Sequence, residues 1–374
     1  MAFANCHSHA FHRALRGRTH AGGGTFWTWR EQMYALAAVL DPDLLHDLAR
    51  ATYAEMALAG ISTVGEFHYL HHGPDGTPYD DPNAMGEVLI AAAREAGLRI
   101  ALLDTCYLST GFGKPVEGVQ RGFSDGNAEH WARRVEDLAA RYVGAADVVI
   151  GTAIHSVRAV PAGQLSVVAQ AIPGAPLHVH LSEQPAENDQ CLASTGLTPT
   201  ALLDEEGVWS ERTTAVHATH LTGPDIETLG ARNAFVCFCP TTERDLADGV
   251  GPSRQLHEAG ARLTLGSDSN AVIDMFEEMR AVEMNERLVS GDRGTWAAPE
   301  LIAAATATGH ESLGFADAGR EIDIDWGSPR LAGVPQDGAG LVFAASAADV
   351  ASDLDPDTVA RDLREVIAKC WSRV

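Results

Sequence analysis

"PLHVHLSEQ", residues 176–184, joins an apolar run to two histidines one residue apart and then an acid. Alternation of this kind belongs to a strand, on which residues two apart face the same side. His178 and His180 therefore share a face, with His180 nearer the strand end and Glu183 just beyond it. Alone, such a pair reads as readily as two satisfied core histidines. What decides the matter is whether other strand ends carry the same kind of residue.

Working outward, strand-length apolar runs fall at residues 2–7, 61–67, 98–105, 147–154, 176–182, 213–219, 234–239 and 262–268. Amphipathic stretches of helical period fill the gaps, among them 43–59, 82–96, 125–142, 161–171, 222–231 and 275–290. Eight strands alternating with helices predict an α/β fold, a (β/α)8 TIM barrel with an outer helical ring. An open doubly wound sheet is the alternative. No GxGxxG follows a strand, which weakens its dinucleotide-binding form. From about 296 the pattern turns to further helices, then Gly/Pro-rich "WGSPRLAGVPQDGAG" (326–340), a short strand "LVFAA" (341–345) and a last helix over 356–372. The expected organisation is a barrel over 1–325 and a C-terminal appendage over 326–374.

Composition bounds the function. Apolar residues are 45% and charged residues 21% of the chain, ordinary for a globular protein. No run approaches the roughly 18–20 uncharged apolar residues of a membrane helix, and no basic-then-apolar leader opens the chain. A cytoplasmic enzyme with no membrane partner is expected. A net charge of −24 would repel nucleic acid phosphates, so no nucleic-acid partner is expected. Lysine occurs only at Lys114 and Lys369, leaving arginine as the main cation. The six cysteines are scattered without a CxxC pair, and the CxC of Cys237 and Cys239 fits alternate core positions on a strand.

In a barrel of this kind the chemistry sits at the C-terminal strand ends. The first strand ends in His7 and His9, the fifth in His178, His180 and Glu183, the sixth carries His217 and the eighth ends at Asp268. Imidazole nitrogens with a carboxylate suit zinc or iron and leave a position for water. The combination points to a metal centre where one HxH does not.

The chain resembles the amidohydrolase superfamily and, within it, the formimidoylglutamate deiminases of histidine degradation. The stretches that carry the likeness are "NCHSHAFHRALRG" (5–17), "FWTWREQMY" (26–34), "GEFHYLHH" (65–72), "HVHLSEQ" (178–184), "VHATHLT" (216–222), "CPTTERDLADG" (239–249) and "LGSDSNA" (265–271). The resemblance implies His7, His9, His180 and Asp268 as ligands of one divalent metal, zinc or else iron. His178 is then a deeper core or supporting residue. The bridging lysine of two-metal relatives has no counterpart in "TAIHS" (152–156), so a single metal is expected. Asp268 would accept a proton from the attacking water, Glu183 would shuttle protons to the leaving nitrogen, and His217 would bond the tetrahedral centre.

The implied reaction takes N-formimino-L-glutamate to N-formyl-L-glutamate and ammonia. Arg30, Tyr69, His155 and Arg158 would hold its glutamate portion, since carboxylates call for arginine forks. His12 stands where the family has glutamine, so contact there is expected to depend on pH. The family also implies a homodimer and a small β-domain flanking the barrel, which is expected here to be absent or reduced. Two other readings stay open: a ring deaminase acting on guanine, cytosine or an imidazolone, and a metal-binding barrel without turnover. The ring deaminase would share the metal site but has no need of Arg30 and Arg158 together.

Overall fold

Eight parallel strands form one sheet in sequence order: β1 (Phe3–Ser8), β2 (Ile61–His68), β3 (Arg99–Cys106), β4 (Val148–Ile154), β5 (Leu177–Leu181), β6 (Thr213–His217), β7 (Phe235–Phe238) and β8 (Arg262–Leu265). The computed structural model describes residues 1–20, 24–317 and 319–374, with the backbone alone at Phe26 and Trp27. The sheet curls until its first and last strands meet, making a (β/α)8 barrel. The meeting is narrow: Ser8 and Asp268 form a parallel bridge, with His9 N–H donating to Asp268 O at 3.0 Å and Asp268 N–H to His7 O at 2.9 Å.

Gly266 permits that closure. A Cβ there would lie 2.7 Å from the His7 carbonyl oxygen and 2.8 Å from the His7 nitrogen, closer than real Cβ atoms approach backbone. Only glycine lets the end of β8 run this near β1.

Every predicted barrel strand is found, with ends within a few residues of those expected. The helices between them start where capping chemistry is available. Asp41 accepts from Leu44 N–H ahead of Pro42–Leu58, and Thr222 with Asp225 forms a reciprocal cap ahead of Gly223–Ala231. Helices not foreseen cover Phe26–Ala37, Pro185–Thr195, Pro199–Glu205 and Ser253–Ala259. Each is short or weakly periodic.

One expectation is corrected. Residues 341–345 do not form a strand: they fall in and just after the helix Gly338–Ala344, capped by Asp337, which accepts from Gly340 N–H at 2.8 Å. A five-residue apolar run carries no period that separates strand from helix, and here Leu341 and Val342 bury against the core. The strand of this region is instead Val350–Ala351, paired antiparallel with Asp323–Ile324. The last helix, Pro356–Trp371, packs on Pro42–Leu58, and Trp371 Nε1–H donates to Ala14 O at 2.9 Å. Among the described residues no helix is long and apolar enough to cross a membrane. All six cysteines are buried and free, Cys237 and Cys239 in the core as expected.

Candidate active site

The ligand atoms of His7, His9, His180 and Asp268 converge within 4.8 Å of one another, all buried at the C-terminal ends of β1, β5 and β8. His7 Nε2 and His180 Nε2 face each other at 3.1 Å, and Asp268 Oδ1 lies 3.3 Å from the Nε2 of both His7 and His9. The imidazoles are set for metal. His9 Nδ1–H donates to Phe67 O and His180 Nδ1–H to His155 O, each at 2.9 Å, so the Nε2 lone pairs turn to the centre. Burial first, then neighbouring imidazoles, depress His7 and His180 well below the usual histidine range. Burial also lowers His9, against the opposing pull of Asp268. All three are neutral at pH 7, as ligation requires. Three imidazole nitrogens and one carboxylate oxygen are a donor set that fits zinc or iron.

His178, on the same strand as His180, is fully buried and outside this group. Burial holds its imidazole neutral, pushed down to about 3.

Beside the cluster stand Glu183, His217 and Asp268. The His217 ring stacks on His180 with centroids 5.5 Å apart. Its Nε2 lies 3.9 Å from Glu183 Oε1 and 3.9 Å from Asp268 Oδ2. Those separations exceed a hydrogen bond and leave room between the three groups. Burial raises Glu183 to about 7, partly offset by His217, which poises it to give and take protons near neutrality. Burial opposes charge on His217, but the carboxylates of Glu183, Glu243 and Asp268 outweigh it, so the imidazole sits well above its usual range and is cationic. Asp268 stays ionised: burial pushes it up, and His217 and His9 more than reverse that.

These groups leave their strands at strained backbone. Ser182, His217, Ala218, Asp268 and Asn270 all have positive φ, between 43° and 68°. For non-glycine residues this is costly, and such conformations gather at functional sites.

Sequence reasoning passed over Glu243. Its Oε1 accepts from Cys239 N–H at 2.9 Å and lies 3.4 Å from His217 Nδ1, fixing that ring from behind. Glu243 lies within "CPTTERDLADG", but no spacing rule distinguishes it from the acids around it. A circuit then closes. Gln184, next to Glu183, donates to the Asp248 carboxylate, and Asp248 N–H donates to Glu243 O at 2.9 Å.

A cavity of about 70 Å³ opens from the cluster, reached by His9, His180, Glu183, His217 and Asp268. The expected substrate residues His12, Arg30, Tyr69, His155 and Arg158 all line it too. It widens into a groove of about 860 Å³ that shares Arg30, Arg158 and Glu183. His12 Nε2 and Tyr69 Oη are 2.9 Å apart. Burial depresses His12 well below the usual range, so it stays neutral around pH 7 and the expected titration is displaced to acid. Arg158 Nε lies 3.5 Å from Glu187 Oε2, another partner not foreseen.

His68, His71 and Asp104 also place ligand atoms together. There, however, Asp104 accepts from Arg134 twice at 2.8 Å and from Trp131 Nε1–H at 2.9 Å. A guanidinium already occupies the carboxylate, so this group is an ion-pair network.

Comparison with known proteins agrees with this geometry. Residues 2–320 match the Amidohydrolase family. Formimidoylglutamate deiminase of Pseudomonas aeruginosa is 37% identical over 289 residues, 76% of this chain and 63% of that one. The chain therefore spans less than two thirds of that relative's length. A 5-methylthioadenosine/S-adenosylhomocysteine deaminase of Natronomonas pharaonis is 30% identical over 84% of this chain and 68% of its own. The 8-oxoguanine deaminase of Pseudomonas aeruginosa is 29% identical over 86% and 72%. Among solved structures, an amidohydrolase from Brucella melitensis superposes with a TM-score of 0.90 at 30% identity, covering 99% of this chain and 89% of that one.

Proposed function

The chain belongs to the amidohydrolase family, and from that premise we propose that it hydrolyses N-formimino-L-glutamate to N-formyl-L-glutamate and ammonia. The observation that carries the substrate is the cavity lining, where Arg30 and Arg158 stand with Tyr69, His12 and His155 beside the four-ligand cluster. A linear amidine with two carboxylates matches two guanidiniums in a buried cavity. The likeness to a formimidoylglutamate deiminase supports the same reading.

One divalent ion, zinc or iron, held by His7, His9, His180 and Asp268 would supply Lewis acidity and an activated water when bound. The remaining work belongs to side chains. Asp268 is ionised and turns Oδ2 towards His217, so it accepts the proton lost by water. His217, cationic and held by Glu243, presents Nε2–H to charge building on the amidine carbon's substituents. Glu183, poised at about 7, passes a proton to the departing nitrogen, which leaves as ammonia.

A second reading, deamination of a purine-type ring, draws on the aromatic side chains Trp29, Tyr34, Tyr69, Tyr107 and Phe123 that line the cavity. Such a ring brings no carboxylate for the two arginines to bind. The deciding experiment measures ammonia release by metal-replete protein from formiminoglutamate, formiminoglycine, 8-oxoguanine and 5′-deoxyadenosine. Formiminoglutamate is expected to be strongly preferred. Arg158→Ala should lower its kcat/KM by roughly 30- to several-thousand-fold, the scale of removing one partner of a buried charge pair, with metal content unchanged. Equal rates on the two formimino compounds, or faster release from a purine, would overturn this reading.

A further inference from the structure

Gln120 stands in the turn Gly118–Phe123 and is buried. Its Nε2 donates to Tyr34 Oη at 2.9 Å and to Tyr107 Oη at 2.9 Å. Its Oε1 accepts from Glu117 N–H at 3.2 Å, which determines the orientation of the amide. With the oxygen on a backbone donor, both amide hydrogens go to the phenols.

That arrangement sets the polarity of the phenols. Each oxygen accepts from Gln120 and keeps one hydrogen of its own to donate. Even when one phenol gives its hydrogen to the other, a second O–H remains for the cavity that both line. Burial pushes the Tyr107 hydroxyl far up, against the pull of Arg158 and Arg30, so it remains a protonated donor. The Arg30 guanidinium carbon lies 5.6 Å from the Tyr34 ring centroid. Arg158 meets Glu187 through Nε, and among the described residues no acceptor is bonded to its Nη atoms. This part of the lining offers hydrogen-bond donors and positive charge, which suits a carboxylate and mismatches a ring with mixed donors and acceptors.

Distance from the cluster selects which carboxylate. The His155 ring is 5.2 Å from His180, and the Tyr107 ring is a further 4.7 Å from His155. Tyr107 thus stands one ring beyond His155, and Tyr34 is joined to it through Gln120. We propose that Tyr34 and Tyr107, set as donors by Gln120, form with Arg158 the cradle for the substrate's distal carboxylate, and so determine the preference for an acidic amidine. The proposal deepens the reading above and rests on it.

The test uses metal-replete full chain with Tyr34→Phe, Tyr107→Phe, the double variant and Gln120→Glu. Gln120→Glu replaces the amide donor with acceptors that draw the phenol hydrogens back. On formiminoglutamate, each Tyr→Phe variant should raise KM by roughly 10- to 100-fold, the range for one hydrogen bond to a charged group, with kcat kept. Gln120→Glu should match the double variant. On formiminoglycine, which lacks the distal carboxylate, kcat/KM should stay at the wild-type value for all four. Equal losses on both substrates, or no loss on either, would overturn the cradle. Metal content and thermal midpoint identify any variant that misfolds, and the remaining variants then carry the test. Calorimetric binding of glutarate separates this proposal from the reaction itself. If wild type ignores formiminoglutamate yet binds glutarate, and the double variant does not, the substrate assignment fails and the cradle stands. If wild type does not bind glutarate, the cradle fails.

Discussion

Asp268 shows how much a single carboxylate can be asked to do. One oxygen lies 3.3 Å from two imidazoles and the other 3.9 Å from His217. On the proposed mechanism the first oxygen holds the metal and the second takes a proton. An asparagine at this position would keep an oxygen for the first task but could not perform the second. Asp268→Asn should therefore retain metal, by elemental analysis, while kcat falls by about 100- to 10,000-fold, the usual scale for a general base. Turnover within an order of magnitude of wild type would take Asp268 off the proton path. The placing of His7, His9, His180 and Asp268 at or just beyond strand ends was legible in the sequence, while their choice as a set over His178 came from the family resemblance. Tyr34, Tyr107 and Glu243 were not legible. An aromatic residue beside apolar neighbours reads as core, and an acid in a loop reads as solvated, until another element is seen to supply its partner.

Whole strands and helices were easier to read than their partners. The barrel strands show as short apolar runs bounded by loops, while "LVFAA" failed because its neighbour Asp337 caps a helix and length alone favours neither state. Gly266 carries a constraint visible only in three dimensions. Gly266→Ala would push a methyl into the His7 backbone, and the neighbouring β1 cannot yield without moving His7, a proposed ligand. Overpacking of this kind costs about 1–3 kcal/mol. Both the urea midpoint and the metal content should fall, and unchanged values of both would show that the seam has slack.

A second element-level device ties the helix Ala128–Arg141 to β3 through Arg134, Asp104 and Asp125. Burial disfavours charge on Asp104, but Arg134 outweighs it and holds the carboxyl down at about 2. Asp125 is lowered likewise by His72 and Arg134, against burial. Their folded values lie below an unfolded value of about 3.9, so this stabilisation is full well above pH 4 and drains as pH falls towards 2. Arg134→Met strands two buried carboxylates and should cost roughly 3–5 kcal/mol at pH 7. The deficit should shrink below pH 4, where both acids of the variant are protonated. Denaturant melts of the two proteins from pH 7 to pH 3 measure it, and a pH-independent gap would mean that packing alone is lost.

At the scale of the molecule, the net charge of −24 opposes a cavity built around guanidiniums. The proposed substrate, with two carboxylates and one amidinium, has a net charge of −1, so it approaches against the long-range field and is attracted only near the mouth. Screening by salt shortens the Debye length from about 30 Å at 0.01 M to about 8 Å at 0.15 M. On that basis kcat/KM for formiminoglutamate should rise with salt over this range, whereas most charge-steered enzymes slow down. A neutral formimino amide should show no such rise. A fall with salt for formiminoglutamate would mean that the local arginines dominate from a distance.

The narrow seam between Ser8 and Asp268 has a consequence for synthesis. His7 and His9 leave the ribosome long before Asp268, which follows only once β8 itself has been translated. Until β8 emerges and folds against β1, no nascent chain owns the complete proposed ligand set, however well its earlier strands have formed. An interrupted translation product ending before Asp268 therefore lacks one of the four clustered side chains and, on the proposed mechanism, both the full metal centre and the base, so that an unfinished barrel is chemically silent.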